Sequence, residues 1–229
     1  MGRYISEESK FKNGRGLGTG ASYKPWTKCS DFNDIAPASS YPDWKTGRPI
    51  QCHSAGERYY YIMLRWNDAI TDIREHFPLP ITETMEIAKS LGFQGIQLKK
   101  RVLLTDFLLT FTDGSLMAIS IAYSREKLKK NPNRIKRLII EKKYWKEHGV
   151  HWDLLYTEDI NIVYARNLED IVSYINMNKI PDKIGLAKYL IAKKKIIVNL
   201  KEKINYIELV KSLKKEEIWK EHLYMLENV

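Results

Sequence analysis

Cysteine is nearly absent: Cys29 and Cys52 are the 2 in a chain of 229 residues. That excludes a disulfide framework, and their spacing gives no zinc ribbon or finger. Cys52 and His53 sit side by side, but nothing next to them completes a ligand set, so the pair is read as structural. Also missing are a run of about 18 apolar residues and a signal-peptide pattern, so a soluble, cytoplasmic protein is expected. Acidic residues are in deficit, with 28 Asp and Glu against 38 Lys and Arg, a net charge of +10. Such a balance points to a polyanion as partner. The glycine-rich segment Gly14-Arg15-Gly16-Leu17-Gly18-Thr19-Gly20 has no strand before it, no helix after it and no following Lys-Ser/Thr pair. A phosphate-cradling nucleotide loop is therefore not expected.

What is present can build a core: 44% of residues are hydrophobic, with 6 Trp and 14 Tyr. The chain divides into an extended basic arm (1–50), an α/β domain (51–165) and a small, mostly helical domain (166–229). Arg3, Lys10, Lys12 and Arg15 belong to the arm, which is expected to lie along DNA or a protein partner. Helices are predicted over 57–67, 83–91 and 131–148, the second capped by Thr82 and the third opened by Asn131-Pro132-Asn133 and stopped by Gly149. A short strand covers 69–75 and is closed by His76-Phe77-Pro78-Leu79-Pro80. Another covers 151–156, and Thr157 is an N-cap candidate. Further helices are predicted over 167–178, 183–194 and 205–227, with a β-prone stretch at Ile196-Ile197-Val198. The basic Lys193, Lys194, Lys195, Lys201 and Lys203 leave DNA or an acidic protein surface open as a target of this last domain.

The centre of the chain is the hairpin 101–122, two apolar runs around Thr112-Asp113-Gly114. Asp106 is the acid inside the first run, and burying it requires a cationic partner such as a divalent metal. A carboxylate in one strand, then a polar residue and a lysine two apart on the next, is the layout of metal-dependent nucleases of restriction-endonuclease fold. Here the second strand reads Ile119-Ser120-Ile121-Ala122, with alanine in the lysine's place. A basic block follows at once, and Arg125, Lys127, Lys129, Lys130, Arg134 and Lys136 are candidate phosphate contacts, joined by Arg15 and Lys24 upstream. His148 and His151 straddle a helix stop and are read as structural.

Several segments together resemble the TnsA family, the endonuclease subunits of heteromeric cut-and-paste transposases. They are Gly14-Arg15-Gly16 through Tyr23-Lys24-Pro25-Trp26, Lys45-Thr46-Gly47-Arg48, Asp72-Ile73-Arg74-Glu75-His76-Phe77-Pro78-Leu79, Thr105-Asp106-Phe107-Leu108 and Glu141-Lys142-Lys143-Tyr144-Trp145. The resemblance covers residues 14 to about 165. It implies an α/β fold: a restriction-endonuclease-like (PD-(D/E)xK) domain with a mixed sheet, followed by a winged-helix-like C-terminal domain. It implies Mg²⁺, with Mn²⁺ able to substitute, held by Glu57, Asp106 and Ser120. Glu141 is a further acid of the site, and Ala122 falls on the catalytic lysine. The implied activity is Mg²⁺-dependent cutting of the 5′ strands at transposon ends, with a TnsB-like transposase and a TnsC-like AAA+ ATPase as partners, in a bacterial cytoplasm at the nucleoid.

Ala122 admits three readings: an engineered catalytic knockout, a natural exchange in which Lys100 or Lys127 takes over, or a subunit that has lost cleavage and acts as a scaffold. Retention of Asp106 and Glu57 favours the first. A stand-alone restriction or repair nuclease of the same fold, cutting without partners, is the other enzymatic alternative.

Overall fold

The computed structural model describes residues 5–31, 39–93 and 102–226. The chain forms two compact units, Met1–Ile160 and Asn161–Val229. No helix among the described residues is long and apolar enough to cross a membrane.

The first unit is built on the expected hairpin. Strand-forming, β-branched and aromatic residues make β3 (Ile70–Pro78), β4 (Leu104–Phe111), β5 (Leu116–Ala122) and β6 (His151–Tyr156), a sheet in the order β3-β4-β5-β6. The first three pair antiparallel, with Ile73 against Leu109 and Phe107 against Ile119, and β6 lies parallel to β5 with Tyr156 against Ala122. The turn between β4 and β5 uses Gly114 at φ +82°, where a side chain would be strained. β3 runs further than the short strand expected, through His76 to Pro78. It tolerates Pro78 because it is an edge strand.

The parallel β5–β6 pair needs a crossover, and α4 (Arg125–Lys129) and α5 (Pro132–Glu147) supply it. Asn131 accepts from the Arg134 amide, Pro132 fills the first helical position and Gly149 at φ +68° follows the end, as the sequence signals indicate. Ile140, Tyr144 and Trp145 of α5 pack with Ile87 and Ala88 of α3 (Ile81–Ser90) on Leu108 and Ala118 of the sheet. α3 begins behind Pro80 rather than at a Thr82 cap. Phe107, next to Leu108 and so pointing to the other face, lies 6.3 Å from the Tyr61 ring of α2 (Ala55–Trp66).

Residues 5–31 and 39–52 are not an extended arm. They form α1 (Glu7–Lys12) and the pair β1 (Ser39–Pro42) with β2 (Pro49–Cys52), and Tyr23, Trp26 and Ile50 are core residues. Sequence periodicity missed this because the segment is fixed by side-chain pairs distant in sequence. Arg48 grips Glu75 with both nitrogens at 2.7 Å, and Arg65 meets Asp43 at 2.9 and 2.7 Å. Arg15 pairs with Asp31 and donates to the Trp26 carbonyl. Gly16 is required where the segment meets the end of β3: a Cβ there would lie 2.3 Å from Pro78 Cγ.

The second unit is helical: α6 (Ile162–Val172), α7 (Lys183–Ala192), α8 (Tyr206–Leu213) and α9 (Glu217–Glu221). Leu186, Leu190, Leu213 and Trp219 make its core. Its boundary falls at Ile160, before rather than after Ala165, because Asn161 caps α6. Thr157 opens a single 3₁₀ turn instead of the expected helix. The long C-terminal helix is two short ones, and the β-prone stretch forms no strand, leaving Ile197 96% exposed. Among its described residues, β pairing is limited to the Ile180–Leu226 bridge.

Breaking a buried pair strands the remaining charge. Arg48→Ala should cost about 3–5 kcal/mol of unfolding free energy, read as a lowered urea midpoint with an unchanged slope. Full retention of stability would show that Glu75 is relieved by water instead.

Candidate active site

Two elements that start far apart in sequence meet around Glu57. Ser54 caps α2 by accepting from the Glu57 amide at 3.1 Å, and the Glu57 carboxylate turns back to accept from the His53 amide at 2.7 Å. His76 Nε2 lies 3.3 Å from the same carboxylate oxygen, and its Nδ1 lies 3.2 Å from the Thr27 carbonyl. The His53 and His76 rings stack at 3.9 Å and 22°. His76 takes φ +49°, an uncommon conformation for a non-glycine residue. Burial alone would raise the Glu57 carboxyl, but its contacts with His76 and the His53 amide outweigh that and hold it below the usual range. Burial alone would lower His76, and Glu57 reverses this and raises it; burial and the neighbouring His76 push His53 down to about 4.

Asp106 enters from β4. The register, Glu75 against Phe107 and Phe77 against Thr105, sets His76 opposite Asp106. The Asp106 carboxylate accepts from the Ile121 amide at 2.5 Å, and Arg134 Nη2 stands 3.6 Å away while also donating to the Ile121 carbonyl at 3.3 Å. Burial raises the Asp106 carboxyl, with Glu57 adding to the effect and Arg134 opposing it. Asp106, Arg134, Arg137, His53 and His76 line one cavity of about 430 Å³.

Ser120 and Glu141 lie together on the α5 side. The Ser120 and Thr105 hydroxyls both donate to Glu141 Oε1, and Trp145 Nε1 donates to Thr105 at 2.8 Å. Glu141 Oε2 has no hydrogen-bond partner among the described residues. Ala122 ends β5 as a buried methyl group beside Tyr156. Lys100, one candidate to replace the missing lysine, lies outside the described residues; the other, Lys127, rests over the Tyr123 ring at 3.7 Å.

The expected phosphate contacts separate into groups. Arg15 is buried with Asp31, which removes it from any surface that DNA could reach. Arg134 faces Asp106. Arg125 is exposed but held by Glu158 and Asp159, and Lys130 is held by Glu126. Lys24, Lys127 and Lys129 are exposed, and Lys136 is half-buried near the Phe93 ring. His53 and His76 were not anticipated as members of the site. The available signal was the spacing from His53 to Glu57, one helical turn; nothing local marks His76, which only sheet register delivers.

Burial pushes Glu141 up to about 7 from an ordinary 4.5, with the Ser120 hydroxyl opposing and the Asp106 charge adding to it. A carboxyl raised in the folded state stabilises the fold fully below pH 4.5, and that contribution is lost as pH climbs to about 7. The gap corresponds to at most about 3 kcal/mol. Glu141→Gln should therefore gain stability relative to the parent between pH 4 and pH 8, measured by urea unfolding. A difference independent of pH would refute the assignment.

Residues 67–158 match the family model described as TnsA-like endonuclease N terminal. The matched span holds His76, Asp106, Ser120, Ala122, Arg134 and Glu141 and starts after His53 and Glu57. The chain is also similar to the transposon Tn7 transposition protein TnsA of Escherichia coli, 28% identical over 166 residues, or 72% of this chain. It spans 61% of that relative's length. The domain match and the relative agree with the mixed α/β sheet, and together they support a TnsA-like endonuclease domain in this chain.

Proposed function

We propose that the chain is the DNA endonuclease subunit of a heteromeric transposase. In this reading it hydrolyses the 5′-strand phosphodiester at each transposon end, beside a TnsB-like transposase and a TnsC-like ATPase. The observation that carries the reading is the convergence of Asp106 and Arg134 on one cavity, with Glu57 held behind its histidine wall, in a TnsA-like domain. Two carboxylates here suit a divalent cation, with Asp106 and Glu57 as holders and Ser120 contributing its main-chain carbonyl. Such a cation, Mg²⁺ in the first instance, would supply an activated water and offset charge on the leaving oxygen.

The chain's own groups do the rest. The Ile121 amide fixes the Asp106 carboxylate, and the partly neutral Glu141 keeps a second full charge away from it. Arg134 brings a permanent positive charge from the first turn of α5 to the place where the family resemblance puts a lysine on β5. Guanidinium cannot act as a base near neutral pH, but it can clamp a phosphate oxygen and stabilise charge as it develops. Lys127 and Lys129 on α4 extend positive charge from this centre for backbone contacts. A winged-helix role for the second unit is carried by the resemblance, with its basic residues as the candidate contacts.

The second reading, a DNA-binding scaffold that no longer cuts, is favoured by Ala122. The two separate in a cleavage assay on transposon-end DNA with both partners present. If Arg134 supplies the charge, the parent chain cuts, Arg134→Ala falls by about 10²–10³-fold, and Asp106→Asn is inactive. If only Ala122→Lys cuts, Ala122 is an inactivating exchange. If no variant cuts, the scaffold reading stands.

A further inference from the structure

We propose that His53, Glu57 and His76 form a binding site for a borderline transition-metal ion of the Co²⁺ or Zn²⁺ class, in preference to magnesium. One ligand atom from each lies within 4.8 Å of the others. A tetrahedral cation at about 2.1 Å from each ligand would hold them about 3.4 Å apart, so the widest pair must close by about an ångström.

Tautomer and neighbours define the donor set. A carbonyl oxygen only accepts, so His76 Nδ1, facing the Thr27 carbonyl at 3.2 Å, carries the ring proton. In the neutral ring, Nε2 then keeps its lone pair towards the Glu57 carboxylate, 3.3 Å away. Two electron-rich groups held face to face in a buried setting call for a cation between them. An imidazole that gives its other N–H to a main-chain carbonyl is also the usual second-layer support of a metal ligand. The His53 ring stacks alongside His76, so joint coordination requires one ring to turn until both in-plane lone pairs meet at one ion, and the capped start of α2 fixes Glu57.

Two imidazole nitrogens and one carboxylate oxygen are a donor set for zinc-like ions. Magnesium prefers a full octahedron of oxygens. Three protein ligands leave positions open for water or a phosphate oxygen from the adjoining cavity. The inference deepens the divalent-cation reading of this cavity, and it does not depend on DNA cleavage. The competing arrangement is a doubly protonated His76 paired with Glu57 and no metal.

The test uses the full chain, stripped by a chelator and titrated with Co²⁺ alone near neutral pH. The expected result is a saturable visible d–d spectrum at one equivalent, displaced by Zn²⁺ and insensitive to a large excess of Mg²⁺. His76→Gln and His53→Gln should each weaken binding about tenfold or more, while Asp113→Asn, on the exposed β4–β5 turn, leaves it unchanged. Thermal melts without metal establish that the variants fold, and Glu57→Gln serves as a second ligand variant. No saturable spectrum, ready displacement by Mg²⁺, or affinity lost with Asp106→Asn but kept in both histidine variants would overturn the site. Cobalt binding in a chain that never cuts would sink the nuclease reading and leave this site standing; Mg²⁺-dependent cutting with no cobalt spectrum would do the reverse.

Discussion

The Arg48–Glu75 pair holds the first unit together. Two parallel bonds of 2.7 Å join a residue of the β1–β2 turn region to the middle of the edge strand β3. Arg48 also reaches the Ile73 and Gly20 carbonyls, and Glu75 accepts from the Gln51 amide. A fork-to-fork pair fixes angle as well as distance. The loop before β1, the turn after it and the strand are thereby set relative to one another. Because β2 leads directly into α2, the same pair fixes where the helix that carries Glu57 starts.

The site inherits this placement. Glu57 comes from the N-terminal side, Asp106 from the hairpin and Arg134 from the crossover helix, so no single element carries the chemistry. Each acid has its own local support: the His53 amide and His76 for Glu57, the Ile121 amide and Arg134 for Asp106, two hydroxyls for Glu141. Their environments therefore diverge, Glu57 being held low while Asp106 and Glu141 are pushed up. Asp106 feels the charge of Glu57, and Glu141 that of Asp106, so a full charge on one disfavours it on the next.

The parts legible in the sequence are those written locally. The Thr112-Asp113-Gly114 turn and the Asn131-Pro132 helix start announce themselves through backbone requirements, and both hold. What stayed hidden depends on partners distant in the chain. Arg15 looks like a free basic residue of an arm, and Arg48 like one more residue of a local segment, until Asp31 and Glu75 meet them. His76 looks like the end of a strand until sheet register brings it to Asp106. Arg134 reads as one more cation in a basic block, and only the packing of α5 on the sheet turns it inward. Ile196-Ile197-Val198 shows the converse, a strong local preference left unused because no strand lies alongside.

The adjacency of Glu75 and His76 has a consequence for folding. The first residue belongs to Arg48 and the second to Glu57. A slip of β3 that put Glu75 in the place of His76 would set it against Glu57 and bring Arg74 against Arg48. The opposite slip would leave the guanidinium facing an imidazole and Glu57 facing Phe77. Strand register is ordinarily guarded by which side chains are greasy and which are wet. Here it is also guarded by charge, so a misaligned edge strand meets repulsion as well as misplaced apolar side chains.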